Sequence, residues 1–255
     1  MKYSENVVTN SGIHLDVLQE LPSKGDIFPT VLLVPGFGVD LHEYGFFDDV
    51  VRSLNKNGYQ TIRFSFSGTG KSQGKFLDMT VERQVREFNT VLGFVLKDRF
   101  TDKNRIGILA QSFGGVAVTM AFPLPHVVSL LFTSFPIDPA RSIERYFRQK
   151  KGFHPDGISE IERSNKKMTR IGPAFWKSIR MVDIRQNLKK LSQPTLFIYG
   201  ESDRLIDLRE TEENFLSLPL RKKRLQMIQK AGHGFTRKSR PVAVSLIRDW
   251  FEETL

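Results

Sequence analysis

Along most of the chain, short apolar runs alternate with amphipathic stretches. Residues 7–9 and 13–17 flank Asn10-Ser11-Gly12, a polar turn triplet, and predict an opening hairpin. Thr30 and the apolar run 31–34 end at Pro35-Gly36-Phe37-Gly38, so 30–34 reads as a buried strand. Over 46–55, Phe47, Val50, Val51 and Leu54 recur at helical spacing, and Gly58 follows as a stop signal. Residues 59–66 predict the next strand. Thr80 can cap a helix that runs to about Lys97, with Val81, Val85, Phe88, Val91, Leu92 and Val95 on one face. Arg83 stands where a capping box would place Glu. Further strands are predicted over 105–110, 127–133, 194–199 and 224–229. Helices are predicted after Ser112, near 208–216, and over 241–255, where Pro241 suits the first turn.

This alternation predicts an α/β protein with a mostly parallel central sheet flanked by helices. It breaks between residues 135 and 191, a basic and aromatic stretch that reads as helical and irregular. That stretch predicts a helical cap or lid insertion (135–191) between two parts of one core, 1–134 and 192–255. No internal repeat or low-complexity tract interrupts the pattern.

Composition narrows the classes. A chain of 255 residues can be a single α/β domain. With no cysteine, disulfides, thiolate nucleophiles and thiolate metal sites are excluded. The N-terminal residues lack the apolar core of a signal peptide, and no run reaches the roughly 18–20 apolar residues of a membrane helix. These features predict a soluble, cytoplasmic protein with no membrane span.

The net charge is +10, and it is unevenly spread. Between residues 141 and 190, 14 Lys/Arg stand against 5 Asp/Glu. A second basic cluster is Arg221-Lys222-Lys223-Arg224. The ordinary reading is a solvated helical face. The sharper one is a surface for an acidic or anionic substrate, a carrier protein or anionic lipid. Nucleic acid is not an expected partner.

Candidate chemistry follows three predicted strands. Ile106–Ala110 leads into Gln111-Ser112-Phe113-Gly114-Gly115 and then a helix. Small residues on both sides of a serine suit a sharp strand-to-helix turn, where backbones crowd. The helix N-terminus would aim N–H groups at an oxyanion forming there. Asp203 comes just past the strand Phe197-Ile198-Tyr199-Gly200, at the sheet edge where α/β sites are built. His233 stands between Gly232 and Gly234 after the last strand. A serine nucleophile needs a base for its proton and a carboxylate to orient that base. Singly, each residue reads as a turn serine, a helix cap or an exposed loop histidine. Together, in the order Ser, Asp, His, they make a triad. Asp207 and Asp138 are competing acids.

At these residues the chain resembles the α/β-hydrolase family over nearly its whole length. Pro35-Gly36-Phe37-Gly38 is similar to the family's His-Gly-x-Gly turn, with Pro35 in place of histidine. By that resemblance, the backbone N–H groups of Phe37 and Phe113 would form the oxyanion hole. Residues 64–72 resemble the family's Asp-x-x-Gly-x-Gly-x-Ser loop, with Ser65 where aspartate is common. The layout is similar to monoacylglycerol lipase-like and cinnamoyl or feruloyl esterase-like members, and the perhydrolase branch shares the triad. A serine nucleophile argues against the aspartate-dependent dehalogenase and epoxide hydrolase branches.

The expected activity is therefore hydrolysis of a small-molecule carboxylic ester through Ser112, His233 and Asp203, with no cofactor and no metal. Its rivals are an acyl thioesterase with the same triad and a non-catalytic binding protein on the same fold. Ser65–Ser72 also resembles a phosphate-binding loop. Ser65 replaces its first glycine, and no helix pattern begins until about Thr80, so nucleotide binding is not expected. Oligomeric state is not legible.

Overall fold

A computed structural model of the chain describes residues 1–162, 166, 168–219, 222–236 and 238–255. Arg221 of the second basic cluster and residues 163–165 and 167 of the 135–191 segment lie outside the described residues. The chain opens with β1 (Lys2–Val8) and β2 (His14–Glu20), paired antiparallel. There follow β3 (Phe28–Val34), α1 (Phe46–Lys56), β4 (Gln60–Phe64), α2 (Val81–Lys97), β5 (Thr101–Gln111), α3 (Phe113–Met120) and β6 (Val127–Thr133).

After β6 the chain leaves the sheet. A π-helical turn at Ala140–Glu144 runs into α4 (Arg145–Arg148). Next come β7 (Ser159–Glu162) and β8 (Met168–Ile171), then α5 (Pro173–Arg180) and α6 (Ile184–Leu188). The strands β7 and β8 pair antiparallel, apart from the main sheet. They correct the expectation that this stretch holds no strands. The chain returns through β9 (Thr195–Gly200), α7 (Leu208–Ser217), β10 (Lys223–Ile228) and α8 (Arg240–Thr254).

The eight-stranded sheet runs β1-β2-β4-β3-β5-β6-β9-β10. From β4 to β10 neighbouring strands are parallel, and β2 joins β4 antiparallel. Both faces are covered for a simple reason. Successive strand side chains point to opposite faces. In β3, Leu32 and Val34 therefore enter one apolar cluster, with Phe88, Val91 and Val95 of α2 and Val116 of α3. Val31 and Leu33 enter another, with Phe47, Val50 and Leu54 of α1 and Ile247 and Phe251 of α8. Trp250 of α8 is buried and donates its indole N–H to the Leu130 carbonyl at 3.1 Å. Thr80 caps α2 as expected, its Oγ1 accepting from the Arg83 N–H at 3.2 Å.

The register sets the functional edge. Val34 pairs with Ala110, Gln111 with Thr133, Thr133 with Ile198, and Gly200 with Ile228. The loops after β3, β5, β9 and β10 therefore leave the sheet at one level. That is the edge where α/β proteins gather their ligands.

Candidate active site

Ser112 joins β5 to α3 with φ 49° and ψ −120°. Backbone of this kind costs a non-glycine residue about 1–3 kcal/mol and persists only where its surroundings fix it. Here the Ser112 N–H donates to Thr133 O at 2.7 Å, and the Gly115 N–H donates to Ser112 O at 3.0 Å. The missing side chain at Gly114 lets α3 approach the loop after β3: a β-carbon there would lie 2.5 Å from Pro35 O. A β-carbon on Gly36 would lie 3.3 Å from Ser112 Cβ. The backbone leading into Phe37 therefore runs beside Ser112, and Phe113 opens α3 directly after it. The rings of Phe37 and Phe113 meet edge to face, with centroids 5.9 Å apart.

Ser112, His233 and Asp203 meet in one hydrogen-bonded chain. Ser112 Oγ is 2.9 Å from His233 Nε2, and His233 Nδ1 is 2.8 Å from Asp203 Oδ2. The other carboxylate oxygen, Asp203 Oδ1, accepts from the N–H groups of Leu205 and Ile206 at 2.9 and 3.2 Å. The Asp203 side chain is fully buried. In this arrangement Nδ1–H donates to Asp203 and Nε2 faces the serine hydroxyl. A hydroxyl so placed can attack a carbonyl while giving its proton to the imidazole.

The competing acids are turned elsewhere. Asp207 lies 3.8 Å from both Arg141 and Arg145, and Asp138 Oδ1 accepts from the Arg141 N–H.

Three supporting residues escaped the sequence pattern. Ser134, at φ 48° and buried, donates its hydroxyl to the His233 carbonyl at 2.7 Å. Gln111 donates to the same carbonyl at 3.3 Å. Glu43 accepts from the Gly36 N–H through Oε1. Glu43 and Tyr44 both have positive φ, 46° and 53°, so the chain bends sharply to bring this carboxylate back under Gly36. Sequence signals for αL residues are glycine and asparagine, and neither stands at 43 or 44.

Ser65 supports the same loop, its Oγ accepting from the Leu41 N–H at 3.0 Å. Arg63 is buried beside it, within 2.7 Å of both Glu20 and Asp48. Burial raises the Asp48 carboxyl pKa, but hydrogen bonds from His42 and Arg63 outweigh it and hold it below the usual value. The glycine loop at 68–74 closes on itself and on β2, with the Gly68 N–H on Gln73 O and the Gln73 N–H on His14 O.

A cavity of about 580 Å³ opens over Ser112 and His233. Its apolar walls include Phe37, Ile143, Tyr146, Phe147, Ile161 and Leu205. Of the aromatic residues of the 135–191 segment, Tyr146 and Phe147 line it. Phe175 and Trp176 are fully buried, and Phe153 packs on Trp176 with centroids 5.0 Å apart. These three tie the inserted segment together.

Residues 26–130 match a family profile described as serine aminopeptidase, S33. The match covers about two fifths of the chain and ends before Asp203 and His233. No curated protein matches the chain. Among solved structures, the esterase Est1E from Butyrivibrio proteoclasticus, with ferulic acid bound, superposes with a TM-score of 0.82. It is 19% identical over 98% of each chain. This is the α/β-hydrolase fold. The esterase domain of a Rhodothermus marinus protein shares the hydrolase fold, with a TM-score of 0.76 and 16% identity over 100% of this chain and 99% of that one. So does the Pyrococcus furiosus esterase Pf2001, at 0.75 and 17% over 100% and 93%. Within this hydrolase fold, no group of three His, Asp or Glu among the described residues could hold a metal ion. Among the same residues, no helix is long and apolar enough to cross a membrane.

Proposed function

We propose that the protein is a serine carboxylic-ester hydrolase for small or medium acyl, or aromatic acyl, esters. The observation that carries this reading is the Ser112–His233–Asp203 hydrogen-bonded chain at the base of an apolar-walled cavity. Ser112 Oγ attacks the ester carbonyl and passes its proton to His233 Nε2. Asp203 holds the imidazole in the required tautomer and stabilises its charged form. The backbone N–H groups of Phe37 and Phe113 donate to the oxyanion. His233 protonates the leaving alcohol, then takes a proton from the water that hydrolyses the acyl-enzyme. The 135–191 segment acts as the cap that shapes the substrate pocket.

The test is hydrolysis of p-nitrophenyl acetate, butyrate and octanoate, a hydroxycinnamate ester and leucine p-nitroanilide, by wild type and Ser112→Ala. The reading predicts turnover of at least one ester and a loss of about 10⁴-fold or more in the variant. Turnover confined to the anilide would make the protein a peptidase. No turnover of any of them would remove the ester-hydrolase reading.

A further inference from the structure

Among the described residues, four charged ones line the cavity over Ser112: Glu43, Lys150, Glu162 and Arg204. Glu43 is buried and accepts from the Gly36 N–H. The other three are exposed. Four arginines of the 135–191 segment are committed to carboxylates. Arg148 and Arg180 hold Glu144, and Arg141 and Arg145 face Asp207. Lys150 and Arg204 are left over: neither has an ion-pair partner among the described residues. Lys150 Nζ sits 4.8 Å from the centroid of the Tyr146 ring, which leaves its N–H groups for another acceptor. Arg204 follows Asp203, but both oxygens of that carboxylate are used by His233, Leu205 and Ile206.

Among the described residues the cavity thus has an apolar wall, the Ser112 hydroxyl, and two uncommitted cations against one exposed carboxylate, Glu162. A neutral apolar ester would leave both cations unused. We infer that the substrate carries an anionic group, a carboxylate or phosphate, bound by Lys150 and Arg204 while its apolar part lies along Ile143, Phe147, Ile161 and Leu205. This rests on the ester-hydrolase reading of Ser112 for the chemistry, but not for the binding.

Two matched pairs locate the anion. Mono-p-nitrophenyl glutarate against p-nitrophenyl pentanoate places it on the acyl side. S-butyryl phosphopantetheine against S-butyryl pantetheine places it on the leaving group. At low salt, at least one pair is expected to favour the anionic member in kcat/KM by about ten-fold, as two solvent-exposed charge contacts would give. That ratio should fall towards one at about 0.5 M salt, where screening is strong. It should also fall towards one in the Lys150→Gln/Arg204→Gln variant. Ratios near one for both pairs, indifferent to salt and to the variant, would overturn the inference. The salt series needs no variant and so is independent of folding. Binding of the same compounds to Ser112→Ala, by calorimetry, needs no turnover. An anionic preference there, with a wild type that hydrolyses none of the compounds, would remove the hydrolase reading and keep this one. Neutral esters hydrolysed with no anionic preference would do the reverse.

Discussion

Asp203 and Asp207 stand four residues apart beyond the same strand, yet their surroundings differ. Asp203 is buried with both oxygens hydrogen-bonded and His233 as its partner; Asp207 is partly exposed between two arginines. Asp203→Ala is therefore expected to lower kcat by about 10³–10⁴-fold, and Asp207→Ala by no more than a few-fold. Steady-state kinetics on one ester decide this, and the reverse ranking would move the proposed acid to Asp207. Glu43 makes a second residue-scale prediction. Deleting its carboxylate leaves the Gly36 N–H unpartnered, a cost of about 1–3 kcal/mol. If Glu43 acts by setting the loop that carries Phe37, Glu43→Ala should lower kcat about ten- to hundred-fold with KM little changed. Glu43→Gln, which keeps an acceptor, should recover most of the activity. A raised KM with unchanged kcat would instead make Glu43 a substrate contact. The Ser, Asp and His were legible because each follows an apolar run with small neighbours. Glu43 was not, because its contact depends on two consecutive left-handed residues that carry no glycine signal.

At the scale of elements, Glu144 links α4 to α5 within the 135–191 segment. Arg180 of α5 and Arg148 of α4 both reach its carboxylate, at 2.8 and 2.5 Å. The Arg180 hydrogen bond lowers the Glu144 pKa most; burial opposes this, and attraction to both arginines adds to the lowering. A carboxyl held below its ordinary value of 4.5 stabilises the fold fully above that pH and loses the contribution as pH falls through the lowered value. Proteolysis of the 135–191 segment should therefore be faster in Glu144→Gln than in wild type at pH 7. The difference should close as the pH falls below 4.5 and through the lowered value, and a gap that does not change with pH would contradict this role for Glu144.

The same segment shows why some elements were missed. Parallel strands buried on both faces read as continuous apolar runs, and β3, β6 and β9 do so. In β7 the four residues Ser159-Glu160-Ile161-Glu162 bury one apolar side chain, and its pairing with β8 is supported by an exposed Glu160–Arg170 ion pair at 3.1 Å. No apolar run marks such a strand. Likewise β5 starts at Thr101, but Lys103, Asn104 and Arg105 are exposed, so its apolar run begins only at Ile106.

At the scale of the whole molecule, sheet order and parallel register bring four loops to one edge, and the alternation of strands and helices predicted that edge. The cavity was less legible. Its walls combine the loops after β3 and β9 with Ile143, Phe147 and Ile161 of the inserted segment, residues whose sequence spacing says nothing about which of them face Ser112. The central claim concerns one atom, Ser112 Oγ, and a fluorophosphonate probe tests it without assuming a substrate. The folded protein is incubated with the probe, and the modified peptide is identified by mass. The account predicts a single adduct on the peptide containing Ser112, absent from Ser112→Ala and from heat-denatured wild type. No adduct on the folded protein, or an adduct at another serine that persists in Ser112→Ala, would contradict it.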